Sequence, residues 1–141
     1  MKKRAKYVLI IVILLLAGAA IYGYHLYNER NPSLRDVSSA MRLTADELFT
    51  AFDKDEAAAT RQFSDKVLSV RGLIRQMNKD EKGGYTLYLS TPELLKSISC
   101  SLDSLYRGTP PEVKAGDSIT IKGICTGYLM DVVLVRCVIE N

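Results

Sequence analysis

Three cysteines and one tight group of acids are the residues of this 141-residue chain whose types could support catalysis. Cys100, Cys125 and Cys137 show no Cys-x-x-Cys spacing, so a zinc site has little support. The alternation around them turns all three inward: Cys100 with Ile98 and Leu102, Cys125 with Ile119 and Ile121, and Cys137 with Val133, Val135 and Ile139. A reactive thiolate needs a basic neighbour, and the only histidine, His25, lies at the end of an apolar N-terminal run. Asp53, Asp55 and Glu56 could pair for acid–base work. Asp53 and Glu56 are helix neighbours at i,i+3, yet no histidine or glycine-rich pocket accompanies them, and a solvated helix face is the simpler reading. No phosphate-cradling motif, Ser-His-Asp set or metal-ligand cluster is present in the sequence, and no cofactor is expected.

The elements that must position these residues begin after residue 42. Thr44-Ala45-Asp46-Glu47 has the form of a capping box, with Leu43 and Leu48 at the staple positions. Leu48, Phe52, Ala59 and Phe63 continue a helical stripe, which predicts one helix from about Ala45 to Gln62. The period then changes. Lys66–Met77 reads as a long strand with a bulge or bend at Gly72. Tyr85–Ser90, Ser97–Leu102, Asp117–Cys125 and Val132–Glu140 read as four more strands, with Thr126–Asp131 as the last hairpin loop. The expected fold is mainly β with a preceding α-helix: a five-stranded barrel of the OB type, whose closure removes exposed edges. In such a barrel the third strand lies beside the fifth, so Cys100 and Cys137 can approach. A Cys100–Cys137 disulfide, with Cys125 left over, and three buried thiols are both compatible with this arrangement.

Tyr7 to Tyr24 is an 18-residue run without a charged side chain, enough to span a bilayer as a helix. Lys2, Lys3, Arg4 and Lys6 precede it, which holds the N-terminus in the cytoplasm. Ala17-Gly18-Ala19 has the form of a signal-peptide cleavage site, but the apolar segment continues past it, and we read an uncleaved signal anchor. The expected organisation is a basic tip over 1–6, a transmembrane anchor over 7–27, a linker over 28–42 and the folded domain over 43–141. The expected location is a bacterial inner membrane, crossed once, with the domain in the periplasm.

The net charge of +3 misleads, because four of the 19 basic residues lie before residue 7, leaving 15 basic against 16 acidic. Nucleic-acid binders usually carry a basic footprint on the folded part. The candidate ligand face offers Tyr88 on the second strand, with Arg71, Arg75, Lys79 and Lys82 as the nearby cations. Lys79 and Lys82 are offset by Asp80 and Glu81. Ser97, Ser99 and Ser101 on the third strand cannot stack bases.

Two blocks, LTADELFTAFDKDEAAATRQFSDKVLSVRGLI and AGDSITIKGICTGYLMDVVLVRCVIE, together with the G-x-C-x-G and D-V-x-L-x-x-C patterns within the second, resemble the tRNA-anti-like OB-fold family over about residues 43–140. That family is found mainly in Bacteroidetes as exported or membrane-anchored proteins. The resemblance implies a fold and not an activity. The expected function is a non-catalytic, membrane-anchored OB module that binds a protein, peptide or glycan of the envelope. The alternative is an oligonucleotide-binding OB domain, with nucleic acid the less favoured partner.

Overall fold

A computed structural model describes residues 2–28 and 33–140. The chain divides into a unit before Ser33 and a unit from Ser33 onward. The first unit is helix α1, Lys2–Asn28. Within it Lys6–Leu26, 21 residues, is long and apolar enough to cross a membrane. At ~1.5 Å per residue the segment is roughly 31 Å long, matching a hydrocarbon core of about 30 Å.

The second unit runs through a 3₁₀ turn (Leu34–Asp36), β1 (Met41–Thr44), α2 (Ala45–Lys54), α3 (Glu56–Phe63), β2 (Val67–Lys79), β3 (Tyr85–Ser90), β4 (Ser97–Leu102), β5 (Ser118–Leu129) and β6 (Asp131–Glu140). The strands are ordered β1-β2-β3-β4-β6-β5, and β5 pairs back onto β2 to close a five-stranded barrel. All pairings within the barrel are antiparallel except β4 with β6. The long strand β2 serves two partners. Residues 67–73 pair with β5 and residues 74–79 with β3. The bulge that separates the halves lies between Ile74 and Gln76, not at Gly72. Gly72 has another duty: a Cβ there would sit 2.9 Å from the Ala45 Cβ and 3.3 Å from Leu89 Cδ1. Its missing side chain lets the first turn of α2 lie directly on the strand.

The capping box is formed. Glu47 N–H donates to Thr44 Oγ1 at 3.2 Å, and Thr44 N–H donates to Glu47 Oε2 at 2.8 Å. The Thr44 N–H and the Thr44 hydroxyl, which both donate to the Glu47 carboxylate, hold it below the usual carboxylate range. The single helix expected from the stripe is two. Asp55 adopts an extended backbone, donates its N–H to the Ala51 carbonyl to end α2, and accepts from Ala58 N–H at 2.9 Å to start α3. The break does not disturb the apolar face: Leu48, Phe52, Ala59 and Phe63 are buried in one core with Leu68, Leu87, Ile98, Ile121 and Leu134 of the barrel. The Phe52 ring lies 6.0 Å from Phe63 and stacks at 5.8 Å on Tyr128.

Residues 33–42, which composition assigned to a linker, are built into the fold. Leu34 is buried, Ala40 N–H donates to the Val67 carbonyl, and β1 runs parallel to β2 with Met41 opposite Leu68 and Arg42 opposite Ser69. Burying a leucine is worth about 1.5–3 kcal/mol and each backbone bond about 0.5–1.5 kcal/mol. A chain beginning at Leu43 is therefore expected to be about 2–4 kcal/mol less stable than one beginning at Ser33. Urea unfolding of the two fragments checks this, and equal midpoints would contradict the boundary.

Candidate ligand-binding face

The outer surface of β2, β3 and β4 is the face on which the candidate residues were expected. Tyr85, Leu87 and Leu89 of β3 point inward, leaving Thr86, Tyr88 and Ser90 outward. Tyr88 lies opposite Gln76 on β2 and Ser99 on β4, while Thr86 lies opposite Asn78 and Ser101. The Gln76 amide donates to the Asn78 side-chain oxygen at 2.5 Å. The outward residues paired about this half-buried tyrosine are hydroxyls and amides, and the exposed Arg75 adjoins them at the bulge beside Gln76.

The four cations do not gather about Tyr88. Arg71 is exposed where β2 pairs with β1, and it lines two shallow cavities of about 540 and 350 Å³ beside Thr44. Arg75 is the bulge residue and reaches the Lys96 carbonyl at 3.4 Å. Lys79 lies opposite Tyr85, with its ammonium 5.7 Å from that ring. Lys82 sits in the β2–β3 turn, where its backbone N–H donates to the Asp80 carboxylate. From Arg71 to Lys79 the strand covers roughly 26 Å at ~3.3 Å per residue, so these charges are strung along it rather than clustered.

Cys100 and Cys137 are both fully buried on neighbouring strands, but no disulfide joins them, and all three cysteines are free thiols. The register is the reason. Cys137 lies opposite Leu102 and Cys100 opposite Leu134, so the two are displaced by two residues, roughly 6.6 Å, along the strands. Disulfide-linked Cα atoms lie about 4.4–6.8 Å apart, and the spacing between strands adds to that displacement. Burial pushes both the Cys125 and Cys137 thiols up, the latter further because Cys100 adjoins it. Cys125 faces Leu134, because the β5–β6 hairpin, expected to loop over Thr126–Asp131, instead continues to Leu129 and turns at Met130 alone. Nor does Cys137 share a face with Val133 and Val135. Bulges in the β5–β6 pairing change the phase, and the inward residues of β6 are Val132, Leu134 and Cys137.

The acidic group has structural partners. Asp55 caps α3, and Asp53 pairs with Lys96 at 3.1 Å. The Lys96 ammonium also meets Glu93 and lies 5.4 Å from the Phe49 ring. The carboxylate of Asp53, the Tyr128 hydroxyl and Glu93 raise its pKa. Among the described residues no group of three or more His, Cys, Asp or Glu could hold a metal ion.

One further cluster has no signature in the sequence. Lys122 on β5 is buried, its side chain 9 % exposed, and it pairs with Glu140 at 3.1 Å and donates to the Arg35 carbonyl at 3.3 Å. The Ser69 hydroxyl donates to the other Glu140 oxygen. Ser69 and then Lys122 hold the Glu140 carboxyl below the usual carboxylate range. Arg35, Tyr106, Val113 and Val138 extend this cluster into a cavity of about 490 Å³. Lys122 alternates out of the barrel, as a solvated lysine would. The return of Leu34–Asp36 over β5 and β6 helps to cover it, with the Arg35 carbonyl on its ammonium.

With the fold in view, the family can be assigned. The tRNA-anti-like family matches residues 1–139. The chain belongs to that family. Among curated proteins none matches it. A solved structure of a lipoprotein from Klebsiella pneumoniae subsp. pneumoniae MGH 78578, described on a provisional basis as nucleic acid-binding, is similar at TM-score 0.57 and 18% identity. The match covers 70% of this chain and 91% of that one. At this identity the likeness is one of fold: the tRNA-anti-like chain and the lipoprotein share the barrel.

Proposed function

We propose that this chain is a membrane-anchored binding module of the bacterial envelope without catalytic activity, and that the face around Tyr88 holds a protein, peptide or glycan ligand. α1 serves as the anchor. Lys2, Lys3, Arg4 and Lys6 keep its N-terminus in the cytoplasm, which leaves the barrel on the periplasmic side of the inner membrane. The observation that carries the ligand class is that the residues paired about Tyr88 are uncharged, with Arg75 adjoining them at the bulge. Gln76, Asn78, Thr86, Tyr88, Ser99 and Ser101 bring donors, acceptors and one ring, and no charge. Such a surface suits a sugar ring laid on tyrosine or an extended peptide, because each needs paired hydrogen bonds and little charge. It suits a phosphate backbone poorly, since that affinity comes from neutralising phosphates with Lys and Arg.

The second reading, an oligonucleotide-binding module, is favoured by the description of the Klebsiella lipoprotein. Titration of the full chain in detergent separates the two. Cell-wall glycopeptide fragments are expected to bind, with Tyr88→Ala weakening them at least about tenfold. Labelled single-stranded DNA or RNA is expected to bind no tighter than about 1 mM at moderate salt, which corresponds to about 4 kcal/mol. Micromolar, salt-sensitive oligonucleotide binding would replace the first reading with the second.

A further inference from the structure

The four most exposed large apolar side chains of the folded unit, among the described residues, lie on two adjoining loops. Leu94 and Leu95 on the β3–β4 loop are 84 % and 95 % exposed, and Leu129 and Met130 at the β5–β6 turn are each 83 % exposed. A hydrogen bond of 2.7 Å from Ser97 N–H to the Asp131 carboxylate ties the two loops together, and β4 and β6 leave them side by side. The turn itself favours an apolar tip over conformational ease. Met130 has φ +69°, a left-handed backbone for which glycine or asparagine is the usual residue in a tight hairpin. A bulky residue at such a position is a backbone outlier of the kind found where a side chain is put to use.

We propose that these two loops form an apolar foot that inserts into the interfacial layer of a lipid bilayer. The inference rests on the reading of α1 as a membrane anchor. The chain from Asn28 to Ser33 spans five residue steps, at most about 18 Å when fully extended, so an anchored chain keeps its folded unit within reach of lipid. Adjacent apolar tips raised on a polar scaffold bury their side chains at the headgroup boundary, as amphipathic surface segments do. A soluble partner would have to be recruited to the same patch, whereas the bilayer is already at hand.

The sequence contains no tryptophan, so one introduced ring reports one place. The test uses the full chain reconstituted in phosphatidylcholine–phosphatidylglycerol vesicles with brominated acyl chains. Leu95→Trp and Met130→Trp are read against Leu105→Trp, on the 3₁₀ turn beyond the far end of β4. Circular dichroism confirms that each variant is folded. Alkaline extraction and flotation report integration of α1 separately. The expected result is quenching of the two tip variants at least about twofold stronger than that of the Leu105 variant, with blue-shifted emission. Integrated chains whose tip tryptophans are no more quenched than the Leu105 variant would overturn the foot and leave the anchor standing. A blue shift that follows protein density without quenching would overturn it in favour of a second copy covering the patch. Extraction of the chain by alkali would overturn both readings.

Discussion

Gly123→Ala is expected to destabilise the barrel by about 1–3 kcal/mol, the usual range for forcing a methyl into a packed core. The added Cβ would lie 2.5 Å from Cys137 Sγ and 3.3 Å from both the Leu134 Cβ and the Val135 carbonyl oxygen. Sulfur is the nearest obstacle, and Cys137 is fully buried with nowhere to turn. The double variant Gly123→Ala/Cys137→Ala should therefore recover more than half of the loss, because the methyl then occupies space vacated by the thiol. Cys137→Ala alone should leave a small cavity and cost about 1 kcal/mol. Urea unfolding of the four proteins gives the coupling energy directly. Strict additivity would mean that the sulfur is not what excludes a side chain at 123.

Glu140→Gln should have an effect of similar size for a different reason. It leaves the Lys122 ammonium, the more deeply buried partner, without a counter-charge. Breaking a fully buried pair costs about 3–5 kcal/mol. Glu140 retains some exposure, so about 2–4 kcal/mol is expected. Lys122→Met should cost less, because the Glu140 carboxylate can be solvated, and the apolar pair Lys122→Met/Glu140→Leu should approach the parent. Stability should also depend on pH. The Glu140 pKa is lowered in the folded state by Ser69 and Lys122. Its contribution is complete above the unfolded glutamate value of about 4.3, and it is lost as pH falls through the folded one. Unfolding free energies measured from pH 7 down to pH 3 should fall less steeply for Glu140→Gln than for the parent. Parallel profiles would show that Glu140 is not a linked group.

Much of the barrel was legible because its strands alternate and its helix start is written in four residues, Thr44 to Glu47. What escaped the sequence are the places where a backbone event changes the phase. The bulge at Arg75 and those in the β5–β6 pairing each shift a face by one residue. No side-chain type announces them, and so the partners of Cys137 and the opposite number of Cys125 could not be read by alternation. Asp55 looked like one acid among several on a helix. Its role as a cap depends on an extended backbone that the apolar stripe continues straight through. Of the candidate face, Tyr88, Ser99 and Ser101 were identifiable from period two alone, whereas Ser97 is buried. The dispersal of Arg71, Arg75, Lys79 and Lys82 was not, because spacing in sequence does not reveal where a strand changes partners. The Lys122 cluster depends on a return of chain from 87 residues earlier, a contact no local pattern encodes.

The position of β6 between β4 and β5 decides when, during synthesis, the barrel can close. β6 is the last strand in chain order, yet it supplies the middle of the sheet. Until residue 140 has left the ribosome, β4 has only β3 as a neighbour and β5 only β2. At about 5–20 residues per second, the ten residues of β6 take roughly 0.5–2 s to make. For that interval the nascent chain carries one unclosed sheet, β4-β3-β2-β5, whose outer strands β4 and β5 have open edges, which are sites for pairing with other chains. In this topology those edges stay open until β6 has been made, and only then can the barrel become whole.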